Sequence, residues 1–301
     1  MLHRILVPLD GSALAARALT FATALSIPTA ARLVLVRAVT AHTLPGVDER
    51  EAQVHVLAET ESYLREVADG LIQRGFAVEV ARPYGDHPAA WIIEESRMRK
   101  ADLIVMSTHG RTGPGRWVFG SVAEAVVAGS PVPVLLQRAW DPIQRELVLG
   151  PRPRLVVPLD GSSFAEAALP VAAGLAEDLG AELLLVTAET TPPDVKAAEE
   201  DVAAYLDGQE RAADLAVPEY LDDVSRRVAA RWADLSVSTR TQAGEPATAI
   251  ATAAEHAQAA LVVMATHGRT GLRRATLGSV AGRVLEHGNT PLVLVPPTAV
   301  D

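Results

Sequence analysis

The sequence predicts an α/β fold of two tandem Rossmann-like domains, each a five-stranded parallel sheet with helices on both faces. Three observations lead to this prediction. The chain has 301 residues, a length that suits two domains of ordinary size. Short apolar runs alternate with helical patterns, which is typical of βαβ units. Two motifs also occur twice along the chain, so the same domain is expected twice.

The two repeated motifs define the domains. Residues 4–12 read Arg-Ile-Leu-Val-Pro-Leu-Asp-Gly-Ser and return at 154–162 with seven of nine positions identical. Residues 106–121 return at 264–279 with ten of sixteen positions identical. Because the offset grows from 150 to 158 residues, the second copy carries about eight extra residues between the motifs. The predicted domains are residues 1–140 and 151–301, joined where prolines and a glycine break the periodic pattern.

In the first copy, short apolar runs predict strands and the longer helical patterns between them predict helices. The predicted strands are 4–9, 32–39, 77–82, 103–107 and 132–137. The predicted helices are 13–25, 49–73, 88–99 and 118–128.

The second copy repeats this plan with a longer second crossover. Its predicted strands are 155–159, 182–188, 236–241, 261–265 and 291–295. The crossover spans about 194–232, and Gly208 and Pro218 are expected to interrupt its helical pattern.

Composition excludes several classes of function. The 37 acidic and 27 basic residues give a net charge of −10, which disfavours nucleic acid as a partner. The chain has no cysteine, so disulfides, thiolate metal sites and cysteine nucleophiles are excluded. No apolar run approaches the length of a membrane span, and the first residues lack the pattern of a signal peptide. We expect a cytoplasmic protein without a membrane partner.

The first repeated motif ends in Asp-Gly-Ser, between strand one and the following helix. Two interpretations of Asp10 and Asp160 stay open at this point. Either the Asp and Ser side chains cap the helix, or the carboxylate, at the end of its strand, accepts hydrogen bonds from a ribose or an adenine amine. For the serines, capping is the simpler interpretation.

The second repeated motif predicts a phosphate-binding loop. A strand ends at Ser107, Gly110 follows, and after nine residues Gly120 and Ser121 open a helix. Glycines let the backbone approach oxygen atoms, and the unpaired N–H groups at a helix start favour negative charge. A tight glycine turn without any ligand is the alternative. The repetition does not decide between them, because duplication alone would produce it.

These motifs resemble those of the universal stress proteins, in their tandem two-domain form. The nucleotide-binding members share Gly, two residues, Gly, nine residues, Gly, then Ser or Thr. Here the pattern has Gly110, Gly120 and Ser121 in one copy, and Gly268, Gly278 and Ser279 in the other. The departure is at the first position, where Ser107 and Ala265 stand in place of glycine.

The resemblance implies an adenine nucleotide alpha hydrolase-like fold, with strand order 3-2-1-4-5 in each sheet, and binding of ATP with Mg²⁺. It places nucleotide-contacting residues after strand one, at the end of strand two and along the glycine motif. These residues are Asp10, Ala38, Ser107, Gly110, Gly120 and Ser121 in the first copy, and Asp160, Ala188, Ala265, Gly268, Gly278 and Ser279 in the second. No catalytic residue and no metal-ligating side chain is assigned.

Three functions remain to be separated. The first is a stress-response regulator whose ATP occupancy changes conformation or the binding of an unidentified protein partner. The second is a nucleotide-free dimerising scaffold of the same fold. The third is an enzyme. An ATP-pyrophosphatase would carry Ser-Gly-Gly-x-Asp-Ser after strand one, where this chain has only Asp-Gly-Ser, and a P-loop hydrolase would carry Gly-Lys-Ser or Gly-Lys-Thr, which the chain lacks. Slow ATP hydrolysis at the glycine motif stays open. We expect the two copies to pair through their apolar last strands as an internal pseudo-dimer, and whole chains to form a homodimer by resemblance to the family.

Overall fold

The computed structural model of the chain describes residues 2–37, 49–81, 87–108, 120–138, 147, 149–189, 217–266 and 277–297. The chain divides into two compact units, Leu2–Leu147 and Val148–Asp301. They are called the N-terminal unit and the C-terminal unit below.

The described part of the N-terminal unit has five strands and five helices. The strands are β1 (Arg4–Pro8), β2 (Arg32–Val36), β3 (Val78–Val80), β4 (Leu103–Ser107) and β5 (Val134–Gln137). The helices are α1 (Ala13–Ala16), α2 (Ala18–Thr29), α3 (Glu49–Gln73), α4 (Pro88–Met98) and α5 (Ser121–Gly129). All strand pairs are parallel, in the order β3-β2-β1-β4-β5.

The described part of the C-terminal unit repeats this arrangement. Its strands are β6 (Arg154–Pro158), β7 (Glu182–Glu189), β8 (Val237–Ala243), β9 (Leu261–Ala265) and β10 (Leu292–Val295). Its helices are α6 (Ser163–Glu166), α7 (Leu169–Leu179), α8 (Val217–Arg231), α9 (Pro246–His256) and α10 (Ser279–His287). The order β8-β7-β6-β9-β10 is the predicted 3-2-1-4-5, so the predicted fold class is confirmed.

The central strand of each unit lies in the core. Residues Ile5, Leu6 and Val7 of β1 and Leu155 and Val156 of β6 are fully buried, as expected for parallel strands covered on both faces. In the N-terminal unit, β2 and β4 pair with opposite edges of β1. The connections run first to one side of β1 and then to the other, so the carboxyl ends of β1 and β4 form the switch point where ligands bind in such sheets.

Pro28 and Pro218 both lie inside described helices. The predicted helix 13–25 consists of α1 and α2, and α2 continues through Pro28 to Thr29. Pro218 lies in the first turn of α8, where a missing N–H leaves no intrahelical hydrogen bond unmade. Residues 190–216, including Gly208, lie outside the described residues, so the predicted interruption of the crossover stays a prediction. Among the described residues, no helix is long and apolar enough to cross a membrane.

Candidate functional site

The Asp-Gly-Ser motif forms the same turn in both units. In the N-terminal unit, Asp10 Oδ1 accepts the Ser12 N–H at 2.8 Å, and Ser12 Oγ caps α1 by accepting the Ala15 N–H at 3.1 Å. Gly11 between them has a φ of +85°, which L side chains rarely adopt, so glycine is required there. The serine therefore caps the helix, and the turn fixes the aspartate at the carboxyl end of β1.

The C-terminal unit repeats this turn, and its serine hydroxyl also donates to the aspartate. Asp160 Oδ1 accepts the Ser162 N–H at 3.0 Å and the Ser162 hydroxyl at 2.5 Å. Ser162 Oγ in turn accepts the Ala165 N–H at 3.2 Å, and Gly161 has the same φ of +85°. A carboxylate oxygen can accept more than one hydrogen bond, so helix capping and ligand binding by the aspartate are compatible.

The second motif places a helix N-terminus at the end of strand four. In the N-terminal unit, the Gly120 N–H donates to the Thr108 carbonyl at 3.0 Å, and Gly120 is the N-cap of α5 with no side-chain cap. In the C-terminal unit, the Gly278 N–H donates to the Thr266 carbonyl at 3.0 Å, and Gly278 is the uncapped N-cap of α10. The N–H groups of both first turns therefore lack the side-chain acceptor that α1 and α6 have.

Backbone conformation does not explain these N-cap glycines. Gly120 has φ −61° and ψ 137°, and Gly278 has φ −57° and ψ 149°. Glu245 adopts φ −61° and ψ 136° as the N-cap of α9, so a side chain is compatible with this conformation. The feature specific to glycine at these positions is the absence of a side chain, which opens the first turn of the helix to a ligand.

The first motif position is extended in both units. Ser107 and Ala265 are the last residues of β4 and β9, and neither is among the described non-glycine residues with positive φ. Their replacement of glycine therefore causes no backbone strain. Ser107 Oγ is buried without a hydrogen-bond partner among the described residues, as is Oε1 of Gln137, its register partner in β5. A buried polar atom without a partner is costly, so this strand end has unused hydrogen-bonding capacity.

The remaining predicted site residues fall in different places. Ala188 lies inside β7, opposite Gln242 of β8 and two residues beyond Val186, which is level with the end of β6. Ser121 and Ser279 are exposed first residues of α5 and α10. Three predicted positions lie outside the described residues: Ala38, Gly110 and Gly268.

A cation lies beside the Asp-Gly-Ser turn of the N-terminal unit. Arg37, which follows β2, places its guanidinium carbon 5.2 Å from the ring centroid of Tyr63 on α3. The same carbon lies 3.3 Å from where a Cβ of Gly11 would be. Burial raises the pKa of Tyr63, as do the charges of Asp10 and Glu66, whereas Arg37 opposes the shift. The mouth of this site thus combines Asp10, Arg37 and Tyr63.

The corresponding region of the C-terminal unit is held by an ion pair. The Tyr220 hydroxyl on α8 donates to Glu166 Oε1 at 3.1 Å. Arg227 donates to both oxygens of Glu166 at 3.0 and 3.1 Å, and its Nε donates to Asp223 at 3.0 Å. Burial and then the negative charges of Glu166 and Asp160 raise the pKa of Tyr220 well above its usual value. These contacts join α8 to α6, directly after the Asp160 turn.

The sequence analysis missed the two tyrosines and Arg37. A signal for the tyrosines was present, because Tyr63-Leu64 and Tyr220-Leu221 recur with a valine three residues later. Arg37 has no counterpart in the other copy, where Thr187 follows Val186. No repeat could have indicated it.

Among the described residues, no group of three or more His, Asp or Glu side chains could hold a metal ion. The described part of each motif carries an exposed hydroxyl at its helix start, Ser121 in α5 and Ser279 in α10. This set fits Mg²⁺ only in the mode in which phosphates and water supply most ligands.

Comparison with known proteins gives one consistent family. A model of the universal stress protein family matches the chain twice, at residues 1–138 and 151–296. A universal stress protein of Mycobacterium tuberculosis is 29% identical over 207 residues, covering 69% of this chain and 65% of that protein. The match thus covers less than two thirds of the mycobacterial relative. Universal stress protein E of Salmonella typhi is 26% identical over 268 residues, covering 85% of this chain and 80% of that protein.

The fold also matches solved structures along the chain. The crystal structure of a universal stress protein from Archaeoglobus fulgidus is similar over 97% of this chain and 98% of that chain, with a TM-score of 0.71 and 22% sequence identity. At this identity the likeness concerns the fold alone.

Proposed function

Because this chain belongs to the universal stress protein family, we propose that both units bind ATP together with Mg²⁺ and that occupancy regulates a response to stress. Nucleotide binding in each unit would change its conformation or its affinity for a protein partner. The binding site in each unit is the switch point between strand one and strand four.

One observation carries this proposal: both helices that begin at the end of strand four start uncapped, with glycine as the N-cap. The helices after strand one, in contrast, are capped by Ser12 and Ser162. Uncapped N–H groups and the positive end of the helix dipole together favour a phosphate. In the N-terminal unit, the buried Ser107 hydroxyl, which has no hydrogen-bond partner among the described residues, would add a donor at the adjoining strand end.

The other residues would orient the nucleoside. Asp10 and Asp160, fixed by their turns, would accept hydrogen bonds from a ribose hydroxyl or the adenine amine. Ser121 and Ser279 would contribute a hydroxyl to a phosphate or to Mg²⁺. The bound metal would neutralise phosphate charge, and its remaining ligands would be phosphate oxygens and water. Ala38, Gly110, Ala188, Ala265 and Gly268 complete the proposed contacts, which for the most part use backbone groups.

The test is isothermal titration of ATP and Mg²⁺ into protein stripped of co-purified nucleotide. We expect two sites per chain. Gly120→Leu should remove the N-terminal site alone and Gly278→Leu the C-terminal site alone, because the new side chain would cover the first turn of the helix. Since the backbone at both positions is compatible with a side chain, each variant should lose no more than about 1 kcal/mol of unfolding free energy.

Two other glycines provide matched controls. A Cβ at Gly70 on α3 or at Gly174 on α7 would meet no atom within 4 Å. Gly70→Leu and Gly174→Leu should therefore keep two sites. Retention of two full sites by both Gly120→Leu and Gly278→Leu would show that the helix N-termini do not bind phosphate.

The same titration addresses the alternatives. Absence of any nucleotide binding would favour a nucleotide-free dimerising scaffold of this fold. One site per chain would assign the scaffold role to one unit. Slow hydrolysis of bound ATP is a third outcome, measured as phosphate release over hours in wild type and in the Gly→Leu variants.

Assembly and location complete the proposal. We expect the last strands β5 and β10, both apolar, to pair the units as an internal pseudo-dimer, and whole chains to form a homodimer in the cytoplasm. Light scattering with and without ATP measures whether whole chains form a homodimer. A shift in mass or partner capture on adding ATP would connect nucleotide occupancy to regulation.

A further inference from the structure

The N-terminal unit holds a guanidinium in a defined place beside its Asp-Gly-Ser turn. Arg37 stacks over the Tyr63 ring on one side and lies against Gly11 on the other. Within the described residues, no ion pair or hydrogen bond engages this guanidinium, which carries five N–H donors. The stacking contact reduces the conformational freedom that an arginine side chain would otherwise lose on binding.

The position of Arg37 relative to α5 defines which part of a nucleotide it would meet. β2 and β4 flank β1, so their carboxyl ends are about 10 Å apart, two strand spacings. Arg37 follows β2, whereas the uncapped start of α5 lies beyond β4, and Asp10 follows the strand between them. A 5′ phosphate at α5 would therefore place the ribose near Asp10 and on the side toward Arg37.

The C-terminal unit lacks this cation. Thr187 occupies the position of Arg37, and its side chain is buried. The acidic Glu166 lies at that mouth, where the N-terminal unit has Ala16. A second anionic group on the ligand would meet the Arg37 guanidinium in the N-terminal unit. In the C-terminal unit it would meet Thr187 at that position.

We propose that Arg37 makes the N-terminal site selective for adenine nucleotides that carry a phosphate on the ribose ring in addition to the 5′ phosphate. This inference rests on the nucleotide-binding function proposed above. A guanidinium binds phosphate through two parallel N–H···O hydrogen bonds. In dinucleotide-binding Rossmann domains, an arginine near the second strand similarly accommodates a ribose 2′-phosphate.

The experiment compares AMP with adenosine 2′,5′-bisphosphate and adenosine 3′,5′-bisphosphate. Titrations use the full chain carrying Gly278→Leu, so that only the N-terminal site is measured, and are repeated in wild type. We expect at least one bisphosphate to bind about tenfold more tightly than AMP, the gain typical of one charge-assisted pair of hydrogen bonds. Arg37→Thr, which introduces the residue of the other unit, should bring that ratio to about one while the affinity for AMP changes less than twofold.

Arg32→Thr is the control for net charge. Arg32 begins the same strand at its opposite end, 52% exposed, and pairs only loosely with Glu79 at 3.9 Å. The Arg32→Thr variant should keep the preference for a bisphosphate over AMP. Arg37→Lys should keep part of that preference, because lysine retains the charge but not the planar guanidinium. The inference is overturned if ATP and AMP bind but neither bisphosphate binds more tightly, or if Arg32→Thr removes the preference equally. If ATP itself does not bind, the proposed function fails together with the inference.

Discussion

The two units have the same backbone at the mouth of the site and different charged groups around it. Both fix an aspartate through an Asp-Gly-Ser turn and both direct a crossover-helix tyrosine toward it. In the N-terminal unit the tyrosine stacks with the cation of Arg37. In the C-terminal unit it donates to Glu166, which Arg227 neutralises.

This comparison distinguishes two ways to recognise a ligand: through backbone N–H groups, which the two units share, and through charged side chains, which differ between them. N–H groups at a helix start do not discriminate between one phosphate and another, and both units have a helix that starts at an uncapped glycine. The charges beside the aspartate differ, so they can distinguish ligands that the helix starts cannot. We therefore expect equal dependence on Gly120 and Gly278 but unequal dependence on the groups around Tyr63 and Tyr220.

The largest expected effect tests the shared part of the comparison. Gly120→Asp and Gly278→Asp would supply the missing cap, as Glu245 does for α9 by accepting the Thr248 N–H at 3.1 Å. The carboxylate would occupy the N–H groups and repel phosphate, so ATP affinity in that unit should fall at least about 100-fold. Thermal unfolding should show an unfolding free energy that is unchanged or increased by about 0.3 kcal/mol.

Asparagine at the same positions separates the two causes. Gly120→Asn and Gly278→Asn would cap without charge and should weaken ATP binding less than the aspartate variants. If ATP affinity survives in the aspartate variants while the helices gain stability, phosphate does not bind at these N-termini.

The next effect concerns the aspartates. Asp10→Ala and Asp160→Ala should each weaken ATP binding by roughly 1 to 3 kcal/mol, the contribution of one or two hydrogen bonds to a charged group. Titration in the Gly278→Leu and Gly120→Leu backgrounds isolates each site. Equal losses in the two units would support equivalent roles; a loss in one unit only would restrict the nucleoside contact to it.

Removal of the tyrosine hydroxyl should lower the unfolding free energy more in the C-terminal unit than in the N-terminal unit. Tyr220 is 8% exposed and donates to Glu166, so Tyr220→Phe should cost about 1 to 2 kcal/mol of unfolding free energy. Tyr63 makes its described contact through the ring, so Tyr63→Phe should cost about 0.5 kcal/mol or less. Urea unfolding measures both, and equal losses would contradict the assigned hydrogen bond.

The same tyrosines predict a response to alkaline pH. Burial raises the pKa of both, and the negative charges of Glu166 and Asp160 add to the effect at Tyr220. A folded-state pKa above the unfolded value, about 10, gives a contribution to stability that is present below that pH and is lost as the pH rises further. Tyrosinate absorbance should show Tyr220 ionising last, and Tyr220→Phe should remove that step.

The smallest expected effect concerns the helix after strand three. Glu245 caps α9 and pairs with Arg283 at 3.1 Å, whereas His87 makes no side-chain cap on α4. Glu245→Ala should lower the unfolding free energy by about 1 kcal/mol, and His87→Asp should raise it by about 0.5 kcal/mol.

The pKa of Glu245 is lowered in the folded chain. Burial acts in the opposite direction, but hydrogen bonds from the Thr248 and Ala247 backbone and the charge of Arg283 outweigh it. The contribution of Glu245 to the unfolding free energy is therefore present above about pH 4.5 and is lost as the pH falls further. In Glu245→Ala, the unfolding free energy should lack this dependence on acid pH.

The sequence alone determined the architecture of each unit. Apolar runs of strand length, helical patterns between them and turn residues at their ends are local signals, so the alternation of strands and helices could be predicted. The strand order 3-2-1-4-5 pairs distant segments, and it was expected from the resemblance to the family. The Asp-Gly-Ser turn was likewise predictable, because its hydrogen bonds join residues two or three apart. Element ends were less predictable: Pro218 lies in a helix start, where proline is tolerated.

Only the tertiary structure decided what surrounds each aspartate. Arg37 meets a tyrosine 26 positions away, and Glu166 meets Tyr220 and Arg227 at separations of 54 and 61 residues. Such contacts depend on how the crossover helix packs against the sheet, which a local pattern does not encode. The sequence by itself thus determined two like Asp-Gly-Ser turns, and packing between distant elements decided that different charged groups surround them.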